Sequence, residues 1–464
     1  MDKVYVDRHR RELPMLNRHI LNSLISSIVP QSFILLVFIY LSIALDAAQF
    51  GKYVLYEGYF IILSSLLAFG SDKVLERYAA KDISFFYHST IRSLKITVFI
   101  SILLFLSGSQ FIGLSFLEIM LLNIASLSYC ILIIYSSFLL GNLYTKELLV
   151  LRMIRVAVYG IFIILIDVDR VSVIYLKSIP EIISALVSLS VLIIFMRRKC
   201  KDIEFKINKK IEMHSKYSQP FLISVLSGLV ITQLDKIILT NYLSLSEIAT
   251  LGYMQKYITI YVIVGVAFSA VFAPVFYKKI GSDSLFLNLN LAVLFYGAML
   301  SVVVGNTAFK YIYPEDYLVG IDLFIFMMIG SFLNIATSYT SVLVLLKNEK
   351  SFLNMFSGVF SAVIFVIILI TLAPEYRLLA PAIAFNIASF VLYLTQSLLI
   401  RKYSIDFNTF NYLMILMAFS LFLIYQRGVF FDPFMEFNTL YISLFVGFIS
   451  TFMILYYLYK LRTI

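Results

Sequence analysis

The chain has 464 residues, 61% of them hydrophobic and 14% charged, with a formal net charge of +10. Soluble domains are about 45–50% apolar and 25% charged, and the mean hydropathy is +0.93, so a soluble core is excluded as the main use of this apolar surface and a bilayer is expected. The positive balance reads as membrane topology rather than nucleic-acid binding, and two cysteines, Cys130 and Cys200, imply no disulfide framework.

A membrane helix needs about 20 mostly apolar residues. That rule marks fourteen spans: 21–45, 53–71, 91–108, 115–140, 153–168, 171–196, 218–241, 249–273, 286–305, 318–346, 352–373, 379–400, 409–426 and 438–459. The first run exceeds the roughly 7–15 apolar residues of a signal peptide and is read as a retained span. Pro30 predicts a kink within it. Lysine and arginine then set the orientation. With the N-terminus inside, the inner segments hold Arg8 to Arg18, Lys73 to Lys95, Lys146, Arg152, Arg155 and the run from Arg197 to Lys216. The outer loops keep Lys52, Arg170, Lys177, Lys310, Arg377 and Arg427. Both termini are therefore expected in the cytoplasm.

The longest polar stretch, 197–217, divides the chain, and its basic residues are expected on anionic headgroups. The expected organisation is an N-terminal lobe at 1–200, a basic linker at 201–217, a C-terminal lobe at 218–402 and two additional spans at 403–464. An internal echo supports a parallel repeat: Ala44 to Tyr53 joins spans one and two, and Leu245 to Tyr253 joins spans seven and eight. Both outer turns carry an acid, a small residue, Gly and Tyr. The fold class expected is an all-α polytopic membrane protein of about 14 helices (12–14), in two six-helix lobes around a central cavity, plus two C-terminal helices.

The hairpin from Ser218 to Phe276 holds Asp235, Lys236 and Lys256 where lipid is expected. An ion inside such a helix costs about 2.5–3.5 kcal/mol, so these residues should face protein or water. Thr232, Lys236 and Thr240 are spaced by four and share a face. Asp235 and Lys256 stand as either a structural pair or groups that look into a cavity. Tyr253, Tyr257 and Tyr261 recur every four residues, as packing or as a surface for sugar rings. The echo sets Glu57 beside Tyr257, as a second inward charge or an interfacial acid near the surface.

The chain contains no phosphate-binding G-x-x-x-x-G-K-[ST] loop, no H-E-x-x-H and no paired C-x-x-C. His9, His19, His88 and His214 are too scattered for a metal site. No outer loop exceeds roughly twenty residues, which weighs against a membrane enzyme.

Four pieces occur in order: Ala48-Gln49-Phe50-Gly51-Lys52-Tyr53; Ala68-Phe69-Gly70-Ser71 with Glu76-Arg77-Tyr78; Leu234-Asp235-Lys236-Ile237-Ile238-Leu239 through Leu251-Gly252-Tyr253; and Tyr311-Ile312-Tyr313-Pro314-Glu315-Asp316-Tyr317. In these the chain resembles the polysaccharide-transporter branch of the multidrug/oligosaccharidyl-lipid/polysaccharide exporters, which contains the O-antigen flippases. Thr240 stands where that family often has glycine, and many relatives have twelve spans.

The resemblance implies a bacterial inner-membrane flippase that is not an enzyme. It would move an undecaprenyl-diphosphate-linked oligosaccharide from the cytoplasmic to the periplasmic leaflet by alternating access. Lys256, Lys236, Tyr257, Arg18 and Arg77 are then the expected substrate-binding residues. Asp235 and Glu57 are the expected ion-coupling residues or structural partners, with H+ or Na+ as the coupling ion and no cofactor or metal. Membrane lipids, an O-antigen polymerase and a chain-length regulator are the implied partners. The alternatives are a multidrug antiporter of the same superfamily, which would need cavity acids, and a membrane-bound O-antigen polymerase, which would need a long outer loop.

Overall fold

The computed structural model describes residues 25–72, 115–141, 144–199, 211–276 and 351–401, with isolated gaps, and short helical pieces within 95–103 and 327–337. Expected spans 286–305, 409–426 and 438–459, most of 91–108 and 318–346, and residues Arg18 and Arg77 lie outside the described residues. Every regular element among the described residues is helical.

Local chemistry explains where the helices start. Helix α1 (Ile28–Ala44) stops at Leu45, and Asp46 begins α2 (Ala47–Ala68) by accepting the Gln49 amide at 2.7 Å. Such a cap contributes about 1 kcal/mol. Phe69, at φ 49°, and Gly70, at φ 68°, then end α2 in left-handed backbone. This gives the Phe-Gly of the second sequence piece a role as a helix terminator. Helix α3 (Phe116–Gly141) opens on a reciprocal box. The Glu118 amide donates to Ser115 Oγ at 3.4 Å, and Glu118 Oε2 accepts the Ser115 amide at 2.8 Å.

Helices α4 (Thr145–Leu165), α5 (Val173–Lys199) and α6 (Ile211–Leu229) follow. After α6 comes a π-helical turn, Val230–Leu234, and a short α7, Asp235–Leu239. Helix α8 (Leu245–Phe276) repeats the box of α3, with Ser244 and Glu247 in the two roles. The acids in the two echoing turns, Asp46 and Glu247, are thus helix-starting groups. Helices α9 (Ser351–Tyr376) and α10 (Leu379–Arg401) form a hairpin whose two-residue turn includes Arg377 at φ 45°.

Six stretches among the described residues are long and apolar enough to cross a membrane: Phe116–Leu140, Lys146–Leu165, Val173–Val191, Gln219–Leu239, Phe352–Tyr376 and Leu379–Gln396. Their outward surfaces are apolar, with Ile164, Leu165, Leu186 and Ile367 all exposed. Water would not tolerate so much exposed apolar surface, whereas acyl chains solvate it. The inward surfaces carry small and polar residues instead, among them Ser126, Ser178, Ser184, Ala384 and Ala388, as lipid-embedded helix contacts do. The chain is a multi-pass membrane protein.

The chain forms two compact units: Met1–Ile237 with Ser244–Ala249, and Ile238–Leu243 with Thr250–Ile464. In the first unit α5 packs on α3, α4 and α2. Gly51 of α2 meets the start of α8 so closely that a Cβ there would lie 2.0 Å from the Leu245 carbonyl oxygen. The two echoing turns therefore touch, and the glycine of the first sequence piece is required by backbone approach. In the second unit α9 and α10 pack along their length.

Candidate functional site

Helices α3, α4 and α5 converge with α2 on a cluster of charges in the first unit. Hydropathy alone places the start of span two at residue 53, with Glu57 near the surface. The Asp46 cap moves the helix start back to Ala47, so Glu57 sits about 15 Å along α2. It is 6% exposed. The same correction applies to Arg155. Lys146, Glu147 and Arg152 are tolerated in the first turns of α4, which starts at Thr145 rather than 153, so Arg155 lies within the helix and not in an inner loop. Lys177, expected in an outer loop, is in the second turn of α5 and 4% exposed.

These groups are joined. Lys177 Nζ donates to Glu57 Oε1 at 3.3 Å and lies 3.6 Å from Glu181 Oε1. Arg155 holds Glu181 with two donors, Nε at 3.0 Å from Oε2 and Nη2 on Oε1. This forked geometry fits a carboxylate better than a single ammonium does. The Tyr159 hydroxyl lies 2.8 Å from its acceptor Glu181 Oε1 and 3.2 Å from the Lys177 carbonyl oxygen. Pro180, inside α5, removes an amide from this stretch of helix and loosens it beside the cluster. Aromatic faces complete the surround: Arg155 sits 4.3 Å from the Tyr129 centroid and Lys177 Nζ 4.7 Å from that of Phe60.

The four charges sum to zero. Buried ions are tolerated when each has partners of opposite sign and hydrogen bonds, as here, and removing one partner costs about 3–5 kcal/mol. The sequence does hold a signal for this cluster. Lys177 and Glu181 are four apart on one helix, and Arg155 interrupts an apolar run. Loop-charge topology assigns both cations to loops instead, and it leaves Glu181 without a role.

The central hairpin differs from its sequence reading in one respect. The π-helical turn breaks the four-residue register, so Lys236 is buried while Thr240 is exposed. Lys236 Nζ donates to Gln233 Oε1 at 2.9 Å. Asp235 is buried, Lys256 and Tyr257 are half-buried, and the Tyr253 and Tyr257 rings stack obliquely with centroids 5.7 Å apart. Among the described residues no cluster of His, Cys, Asp and Glu could hold a metal.

No protein-family model matches the chain, and no curated protein matches it. Solved structures do. An outward-facing multidrug resistance MATE family transporter of the MOP superfamily is 16% identical, with a TM-score of 0.59 over 83% of this chain and 94% of that one. An inward-facing multidrug resistance MATE family transporter of the MOP superfamily is 14% identical, with a TM-score of 0.58 over 82% of this chain and 98% of that one. The MATE multidrug transporter DinF-BH, solved in complex with a small molecule, is 13% identical, with a TM-score of 0.60 over 86% and 96%. The chain has a MATE-like fold.

Proposed function

We propose that this protein is a membrane transporter that works by alternating access. Its cargo is an undecaprenyl-diphosphate-linked oligosaccharide, carried between leaflets at the expense of an ion gradient. The observation that carries the transport reading is a fold similar across nearly their full lengths to transporters in both outward- and inward-facing conformations. Two features support the saccharide cargo. The four ordered sequence pieces resemble the O-antigen flippases. The two acids buried in the α2–α5 cluster, Glu57 and Glu181, are each held by a lysine or arginine, whereas a cationic drug calls for an uncommitted acid. On this reading Lys256, Lys236 and Tyr257 meet the diphosphate or sugars, with Arg18 and Arg77 on the cytoplasmic side. Glu57 accepts the coupling ion.

A second reading, multidrug antiport, is favoured by the names of the structural neighbours, one of them a multidrug transporter with a molecule bound. One experiment separates the two. Purified protein in vesicles is given a defined lipid-linked oligosaccharide or the cationic dye ethidium, with an imposed ion gradient. Gradient-dependent flipping of the oligosaccharide, lost in Lys256→Ala with the protein still inserted, is the expected result. Ethidium movement without flipping would overturn it.

A further inference from the structure

We propose that Lys177 sets the ion selectivity of the Glu57–Glu181 pair: its ammonium is a tethered cation that occupies the position sodium would need. The proposal rests on the ion-coupled reading above. Glu57 on α2 and Glu181 on α5 both contact one Nζ, at 3.3 and 3.6 Å. Two carboxylates brought together inside a bilayer attract a cation by charge alone. Here that cation belongs to the chain.

Every group that faces Nζ fits this assignment. Glu57 comes from α2 along with the Phe60 ring and Tyr53; Tyr159 comes from α4, and Glu181 from the lysine's own helix. Arg155 of α4 and Tyr129 of α3 stand behind Glu181. With tyrosines neutral, the two acids and two bases balance. Sodium gathers several oxygens around it, and the bridging oxygens are already committed to Nζ and Arg155. A proton needs one oxygen and no cavity. A proton on Glu57 would also release the ionic tie between α2 and α5, while the Arg155–Glu181 fork still holds α4 to α5.

Removing the charge of Lys177 without its bulk leaves the cluster one negative charge in excess. A monovalent cation is then the simplest way to restore neutrality, and Lys177→Gln should create a sodium site. The test measures radioactive sodium binding and thermal unfolding of the purified full chain in detergent, in equal concentrations of sodium, potassium or choline chloride. The wild type should show no sodium binding that depends on Glu57 and the same unfolding midpoint in all three salts. Lys177→Gln should bind sodium saturably, and its midpoint should rise by about 1–3 °C in sodium relative to choline. Glu57→Gln combined with Lys177→Gln is again neutral, and should lose both effects. Sodium binding by the wild type that Glu57→Gln abolishes would overturn the proposal. So would a folded Lys177→Gln that ignores sodium. If Lys177→Gln does not fold, the comparison of wild type with Glu57→Gln still decides. No cargo enters these measurements, so a wrong cargo would show itself as absent flipping with sodium binding unaffected.

Discussion

The α2–α5 cluster of the first unit and the α9–α10 hairpin of the second both bury polar atoms between lipid-embedded helices, by opposite means. The hairpin uses small side chains and neutral bonds. Ala380, Ala384 and Ala388 are fully buried, Ser361 Oγ donates to the Ala388 carbonyl at 2.7 Å, and Gln396 Nε2 donates to Asn354 Oδ1 at 2.8 Å. The cluster uses full charges that cross between helices. A neutral small-residue interface has one low-energy arrangement and nothing in it titrates. An ionic interface can be rearranged by a single proton or cation, at the cost of being badly destabilised when one member is lost. The hairpin therefore reads as a fixed scaffold and the cluster as the part able to respond to an ion.

Substitutions can sharpen or break this contrast. The largest effect is expected from Arg155→Met, which leaves the fully buried Glu181 without its forked partner. A loss of about 3–5 kcal/mol should appear as little inserted protein in the membrane fraction. Adding Glu181→Leu should recover insertion but not gradient dependence of transport, and full recovery of both would reduce the cluster to packing. Next is Gly51→Ala, whose methyl group would collide with the Leu245 carbonyl, at about 1–3 kcal/mol by thermal unfolding. Gly330→Ala should cost a similar amount in the second unit, since its Cβ would lie 2.6 Å from Asn386 Oδ1. Ser361→Ala should cost only about 0.5–1.5 kcal/mol and leave transport unchanged. A transport defect there would argue against the hairpin as scaffold. The smallest effect is a gain. Gly228→Ala in α6, where no other atom lies within 4 Å of the added Cβ, should raise stability by up to about 1 kcal/mol.

Much of the helix plan was legible from residues alone. Expected spans 115–140, 171–196, 352–373 and 379–400 lie within a few residues of α3, α5, α9 and α10. Hydropathy located their apolar centres, and the Ser-x-x-Glu starts of α3 and α8 are themselves sequence signals. The starts of α2 and α4 were less legible, because helix length there is extended by polar residues that a hydropathy window leaves out. That difference moved Glu57 from the interface to the interior.

The amino-acid sequence by itself determined that the chain is helical and membrane-embedded, where most of its described helices run, and that Glu57 and the central hairpin carry charges needing an explanation. These properties depend on local composition and on the transfer of single segments into lipid. Only the tertiary structure decided that Lys177 and Arg155 are core residues rather than loop charges, and that Glu57 and Glu181 share one ammonium. Those facts depend on which helix faces which, and residues 120 positions apart meet only once the bundle has packed.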